Sequence, residues 1–446
     1  MDWSKLPDFA SVALLTTAFA SVARNSRSKV SGIWLTGWVM ISLHFAAFAF
    51  VPAPGIWGGI ALFLGIATLA AGGVLFMWAS VPYRKQSSSR AMLFVLIGVY
   101  TLYIVLLIID PIASWALTPA AILIALAPLS VALMASRRLH HPLRWAVVTL
   151  NLGLGLFLIE NQHRANGASL ALNALLFTVY LGCGIHFWYA YRRATSGALI
   201  TIVGFFTWAS VFVAGPCIQA FLPQIHFEDE VWNLPKYIVA VGMILLLLEE
   251  QLEHNRYLAL HDELTGLPNR RLFQDRLVNA IERARRTGVQ VALLLVDLDH
   301  FKQVNDSIGH HAGDELLRHV SRLFTGRVRR SDTVARTGGD EFSLILEEPM
   351  SRADAMRVSQ SLIQLLNEPF IYQGNSVQVG ASVGISVFPD DASDAESLCI
   401  SADLRMYANK NVPESDESNP VKKLVVSEVS PLSQQNKIQP GLQAVE

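Results

Sequence analysis

Long apolar windows recur through the first 250 residues, and they restrict more than half of the chain to one kind of fold. A helix needs about 20 mostly apolar residues to cross the ~30 Å hydrocarbon layer of a bilayer. Such windows lie near 8–23, 33–52, 56–80, 91–109, 115–135, 145–160, 168–190, 197–221 and 232–249, the first and sixth being short. They predict a bundle of about nine transmembrane helices over residues 1–249.

The charges between the windows give an independent reading. Arg24, Arg27 and Lys29 follow the first window; Arg84, Lys85 and Arg90 the third; Arg137, Arg138 and Arg144 the fifth; Arg192 and Arg193 the seventh. The alternate loops hold little basic charge apart from Arg164, and the last carries Glu228, Asp229 and Glu230. Basic residues mark cytoplasmic loops. The pattern predicts a multi-pass protein of the inner (cytoplasmic) membrane, with its N-terminus outside and everything after the ninth span in the cytoplasm.

His44 and His186 fall within spans, where polar residues are functional suspects, although a histidine hydrogen-bonded inside the bundle is the commoner case. Trp34, Trp38, Trp57, Trp78, Trp115, Trp145 and Trp188 are expected as interface anchors near span ends. Pro235 and Lys236 would either kink the ninth span or snorkel from it. The outward loops are short, so any stimulus is expected to be small, lipid-borne or sensed within the bilayer.

The remainder is of another solvent class. Only 16% of the whole chain is charged, and those charges crowd the C-terminal part. A net charge of −1 gives no reason to expect nucleic-acid binding. Cys183, Cys217 and Cys399 lie too far apart for a metal spacing or a disulfide framework. Residues 250–260 form a linker; over 248–260 Leu248, Leu252, Asn255 and Ala259 follow coiled-coil spacing, and a plain amphipathic helix fits equally well. Strands at 291–297, 333–337, 342–347 and 378–387 alternate with helices at 270–286, 313–326, 351–367 and 394–408, which predicts helices packed on a sheet. The tail at 412–446 is rich in Ser, Pro, Gln and charge and is expected to be disordered.

Chemistry concentrates in Gly338-Gly339-Asp340-Glu341-Phe342, between two short apolar runs. A hairpin tip is predicted there, with glycines that admit a phosphate and adjacent carboxylates that call for a cation. A buried strand ends in Asp297-Leu298-Asp299. His300-Phe301-Lys302-Gln303-Val304-Asn305-Asp306, Gly309-His310 and Gly313-Asp314 follow it. Asp262-Glu263-Leu264-Thr265-Gly266-Leu267-Pro268-Asn269-Arg270-Arg271 stands upstream, and Ala402-Asp403-Leu404-Arg405-Met406-Tyr407 downstream. In order and spacing these blocks resemble the GGDEF family of diguanylate cyclases, over roughly residues 255–411, with the domain itself expected at 261–411.

The resemblance implies a nucleotidyl-cyclase-like α/β domain with a mainly antiparallel sheet. It implies condensation of two GTP into cyclic di-GMP by a homodimer, with Mg²⁺ or Mn²⁺ held by Asp297, Asp340 and the carbonyl of Leu298. Asp340 or Glu341 would take the hydroxyl proton at the tip formed by Gly338 and Gly339. Lys302 and Lys410 would face phosphates beside Phe301, while Asn305, His310 and Asp314 would contact guanine. Arg329 and Asp332 match an inhibitory product site. One departure is Glu414, where the family usually has arginine. A catalytically silent receptor for GTP or cyclic di-GMP is the alternative.

Overall fold

The computed structural model describes residues 3–26, 28, 30–80, 87–109, 113–134, 142–164, 166–191, 195–224, 229–347, 351–410 and 426–428. Arg27, Lys29, Arg84, Lys85, Arg137, Arg138, Arg192, Arg193, Glu228, Glu414 and nearly all of the 412–446 tail lie outside them. The chain divides into two compact units, Met1–Glu253 and His254–Glu446.

The first unit is helical: α1 (Leu6–Asn25), α2 (Ser31–Phe48), α3 (Ile56–Ala79), α4 (Ser87–Ile109), α5 (Ser114–Met134), α6 (Pro142–Asn161), α7 (Gly167–Ala190), α8 (Ser196–Phe221) and α9 (Asp229–Leu260), which runs on past Glu253. Among the described residues eight of these helices are long and apolar enough to cross a membrane, which corrects the count of nine. Helix α6, which carries Arg144, Asn151, Glu160 and Asn161, is the one not among them. Small residues bring α8 and α9 close: a Cβ on Gly242 would lie 2.6 Å from the amide of Thr201, and one on Gly197 2.4 Å from that of Leu246. Glu249 of α9 accepts the Gly197 amide at 3.1 Å, which caps the start of α8.

Side chains in this unit depart from expectation in two places. Trp34 and Trp38 are fully buried, and their rings pack on Phe187 and Phe76. They are core residues, because a ring facing a neighbouring helix fills a gap that an interface anchor would leave open. Trp57, Trp115 and Trp188 are exposed. Lys236 does not snorkel: it is buried, donates to Asn233 and lies 4.6 Å from the Phe45 ring centroid. His44 and His186 each bond a backbone carbonyl at 2.8 Å, those of Gly65 and Gly182.

The second unit contains α10 (Arg270–Thr287), β1 (Val291–Asp299), α11 (Phe301–Ile308), α12 (His310–Arg327), β2 (Thr333–Arg336), β3 (Glu341–Leu346), α13 (Arg352–Leu366), β4 (Phe370–Tyr372), β5 (Asn375–Val377), β6 (Gly380–Phe388) and α14 (Ala395–Lys410). The main sheet has the order β2-β3-β1-β6, antiparallel throughout. Strand β1 is buried on both faces, as a central strand between helix layers requires. Its even residues Ala292, Leu294, Val296 and Leu298 pack with Leu316, Val320 and Phe324 of α12 and with Leu362 of α13. Its odd residues Val291 and Leu293 pack with Phe273 and Leu277 of α10 and with Leu398 and Ala402 of α14. A short second sheet joins β4 and β5 to residues Val426–Glu428.

Asp391 ties three elements of this unit together. Its carboxylate accepts two bonds from Arg405 of α14 at 2.8 and 2.7 Å, one from Arg352 of α13 at 2.5 Å, and the Val387 amide of β6 at 2.7 Å. The Arg405 hydrogen bonds, aided by Arg352 and Val387, hold its pKa well below the usual carboxylate range. A lowered folded pKa gives stability that is present above the unfolded carboxyl pKa of about 3.9 and lost as pH falls toward the folded value. The melting temperature of this unit is expected to fall below about pH 4, and to fall less steeply in Asp391→Asn; circular dichroism melts across pH 2–6 check it.

Candidate active site

Strand pairing brings the predicted acidic residues to one end of the sheet. Asp297 lies opposite Glu341 on β3 and Ser382 on β6. Asp297 and Asp299 share the α14 face of β1, whereas the Leu298 side chain enters the opposite core, so Leu298 meets this end of the sheet through its backbone. The Leu298 amide donates to the Asp340 carbonyl at 3.2 Å, which places the hairpin tip against the end of β1. Asp297 is 7% exposed, low for a carboxylate.

The tip itself is shaped by its neighbours. A Cβ on Gly338 would lie 2.4 Å from Glu341 Oε2, so the Glu341 side chain folds back over that glycine, while at Gly339 a Cβ would meet nothing within 4 Å. Arg336 grips the Gly339 carbonyl through Nε at 3.1 Å and Nη2 at 2.7 Å. Its Nη1 reaches the Asp262 carboxylate at 3.0 and 3.1 Å. Burial of Asp262 opposes ionisation, but hydrogen bonds from Thr265 and Arg336 outweigh it and hold its pKa below the usual range. Arg336 therefore ties the tip to the loop at the start of this unit. Removing it as Arg336→Ala is expected to destabilise this unit by about 1–3 kcal/mol, because the Asp262 carboxylate and the Gly339 carbonyl lose their donor; thermal melts check it.

Lys410, at the end of α14, donates to Asp297 Oδ1 at 2.8 Å. That hydrogen bond raises the lysine pKa, and the charges of Asp297, Asp340 and Asp299 add to it. Asp299 is buried and accepts Ser382 Oγ at 2.8 Å. Its placement beside the predicted ligands was signalled in sequence only by its spacing of two from Asp297. The helix is seated by close backbone contact: a Cβ on Gly384 of β6 would lie 1.9 Å from the Ala402 carbonyl. Asn409 adds a bond to the Val383 carbonyl at 2.7 Å.

The predicted base-contacting residues gather on the α11–α12 pair. Only His300, with φ 61°, separates β1 from α11. Phe301 and Lys302 open α11, Asn305 sits one turn further on, and Gly309, with φ 96°, reverses the chain into His310. A Cβ on Gly313 would lie 2.0 Å from Asn305 Oδ1 and 3.1 Å from the Phe301 ring, so Asn305 and Phe301 rest on Gly313, next to Asp314. Arg329 and Asp332 share one turn. The Asp332 carboxylate accepts the amides of Arg329 at 2.9 Å and Glu347 at 3.0 Å, and burial raises its pKa. Among the described residues no group of three or more His, Cys, Asp and Glu side chains is arranged to hold a metal ion. The ladder sets Asp297 opposite Glu341, the residue after Asp340, so hard oxygen donors, of the kind divalent cations take, stand at this end of the sheet.

Comparison with known proteins covers this unit. Residues 259–415 match the family described as "Diguanylate cyclase, GGDEF domain". Over 191 residues the chain is 41% identical to the bifunctional diguanylate cyclase/cyclic di-GMP phosphodiesterase MucR of Pseudomonas aeruginosa, covering 39% of this chain and 27% of MucR. Over 151 residues it is 40% identical to diguanylate cyclase TpbB of the same organism, covering 34% of this chain and 35% of TpbB. The chain thus spans about a third or less of the length of these curated relatives. A solved structure comprising only the GGDEF domain of TpbB is matched at 40% identity and a TM-score of 0.33, over 34% of this chain and 88% of that one.

Proposed function

We propose that this chain, whose residues 259–415 match the GGDEF domain family, is a membrane-bound diguanylate cyclase that condenses two GTP into cyclic di-GMP and two pyrophosphates. The observation that carries this reading is the β1–β3 register, which sets Asp297 against the Gly338–Glu341 tip. Asp297, Asp340 and the Leu298 carbonyl would hold Mg²⁺ or Mn²⁺. The ion, when bound, supplies charge neutralisation at the α-phosphate.

The chain's own residues do the rest. The 3′-hydroxyl of one GTP attacks the α-phosphorus of the other, pyrophosphate leaves, and a second such step closes the ring. Asp340 accepts the hydroxyl proton, with Glu341 adjacent as the alternative acceptor. Lys410 and Lys302 face the phosphates, and the open side of Gly339 leaves room for them. Asn305, His310 and Asp314 read the guanine; a carboxylate paired to its N1–H and amino group rejects adenine, which leaves that carboxylate unpaired. Each subunit of a homodimer supplies one GTP. Residues 1–249 act as the membrane sensor, 250–260 as the signalling linker and 261–411 as the cyclase. The N-terminus lies outside the inner membrane and the cyclase inside. Arg329 and Asp332 take cyclic di-GMP as a feedback inhibitor.

Removing divalent cations with EDTA is expected to abolish product, Mn²⁺ to restore it, and ATP to give none. Product that persists in EDTA, or forms equally from ATP, would refute the assigned site.

A further inference from the structure

Helices α6, α7 and α8 line a half-open cavity of about 480 Å³. Its walls include Leu150, Phe157, Leu170, Phe177, Phe212 and Val213, and no acidic, basic or histidine side chain lines it. The few polar groups in the wall are directed to their own helices. Thr149 Oγ1 donates to the Trp145 carbonyl at 2.9 Å, Thr178 Oγ1 to that of Ala174 at 2.8 Å, and Asn173 Nδ2 to that of Ser169 at 2.9 Å. Gly153 makes part of the room, since a Cβ there would meet nothing within 4 Å. Pro216 lines it as well and has no N–H to return to the Phe212 carbonyl, the bond an α-helix would make there.

We infer that this cavity binds a single-chain hydrophobic molecule drawn from the bilayer. The volume falls within the ~300–1,000 Å³ range of ligand sites. Two of the three walls, α7 and α8, are candidate membrane spans, so the surrounding phase that supplies the occupant is lipid. An uncharged wall whose hydroxyls and Asn173 amide already donate to their own helices offers little to replace the water of a charged or highly polar ligand, which disfavours sugars, nucleotides and ions. A molecule already in hydrocarbon gains no hydrophobic free energy on entry, so selection rests on shape and contact between walls. The α8 wall is also the helix that packs on Gly242 and Glu249 of α9.

The test uses the full chain in lipid nanodiscs with a palmitic acid that carries a photoreactive diazirine. Saturable crosslinks on α6, α7 and α8, competed by unlabelled palmitate, are expected. Gly153→Phe, which fills the space, is expected to reduce them about tenfold, the equivalent of 1.4 kcal/mol. Cys217 lines the cavity as a free thiol, so saturating palmitate should also slow its alkylation by N-ethylmaleimide about tenfold in the unmodified protein. Labelling that never saturates and spreads to exposed positions such as Leu156 and Leu199 would show ordinary bilayer contact and overturn the inference. So would a Cys217 rate indifferent to palmitate, a measurement that needs no variant to fold.

Discussion

Replacing Asp340 by alanine is expected to lower cyclic di-GMP formation about 10³-fold or more while the fold survives. The residue sits at a hairpin tip and belongs to neither apolar core. Its turn is held by bonds that do not involve its side chain: Arg336 to the Gly339 carbonyl, Leu298 to the Asp340 carbonyl, and the Thr337 amide to the Glu341 carbonyl at 3.0 Å. The variant therefore loses a carboxylate and little else. In the proposed mechanism that carboxylate would hold a cation stabilising the transition state by several kcal/mol, and each ~1.4 kcal/mol is tenfold in rate. Product assays and thermal melts on the same sample separate chemistry from folding. Activity within about tenfold of the parent would remove Asp340 from the mechanism.

Gly384→Val is expected to destabilise the second unit by about 3 kcal/mol. The new Cβ would overlap the Ala402 carbonyl at 1.9 Å and the Met406 amide at 2.6 Å. Both are backbone atoms of α14, so no side-chain rotation relieves the clash and the whole helix must move. Arg405, Asn409 and Lys410 move with it, which costs the Asp391 cluster and the Asp297 contact together. Against a domain stability of about 5–15 kcal/mol, the loss should lower the melting temperature by about 10 °C. Differential scanning calorimetry reads it. An unchanged transition with normal activity would show that α14 is not seated on Gly384.

Patterns local in sequence were the ones that could be read from it. The apolar run 291–297 and the glycine tip announced β1 and the β2–β3 hairpin, because burial on both faces and a tight turn each leave a contiguous mark. What stayed hidden depends on residues far apart. Arg336 meets Asp262 across 74 positions, and Asp391 meets Arg352 across 39. Their charges read as ordinary surface charges until the sheet closes. The β4–β5 hairpin was missed although Gln373 and Gly374 carry φ of 48° and 87°, the left-handed pair of a two-residue turn. The signal was the Gln-Gly pair between short β-forming runs. Trp34 and Trp38 were misassigned because depth along a span says nothing about which face of the helix meets a neighbour.

Joining of two GTP molecules at this end of the sheet is the proposed reaction. Its most direct test is to supply the purified full-length protein, in lipid nanodiscs, with GTP and Mg²⁺ and to identify the product by mass spectrometry. Cyclic di-GMP is expected, with release of two pyrophosphates per molecule formed. A folded protein that binds GTP or cyclic di-GMP yet forms no product would contradict it and leave the domain as a nucleotide receptor.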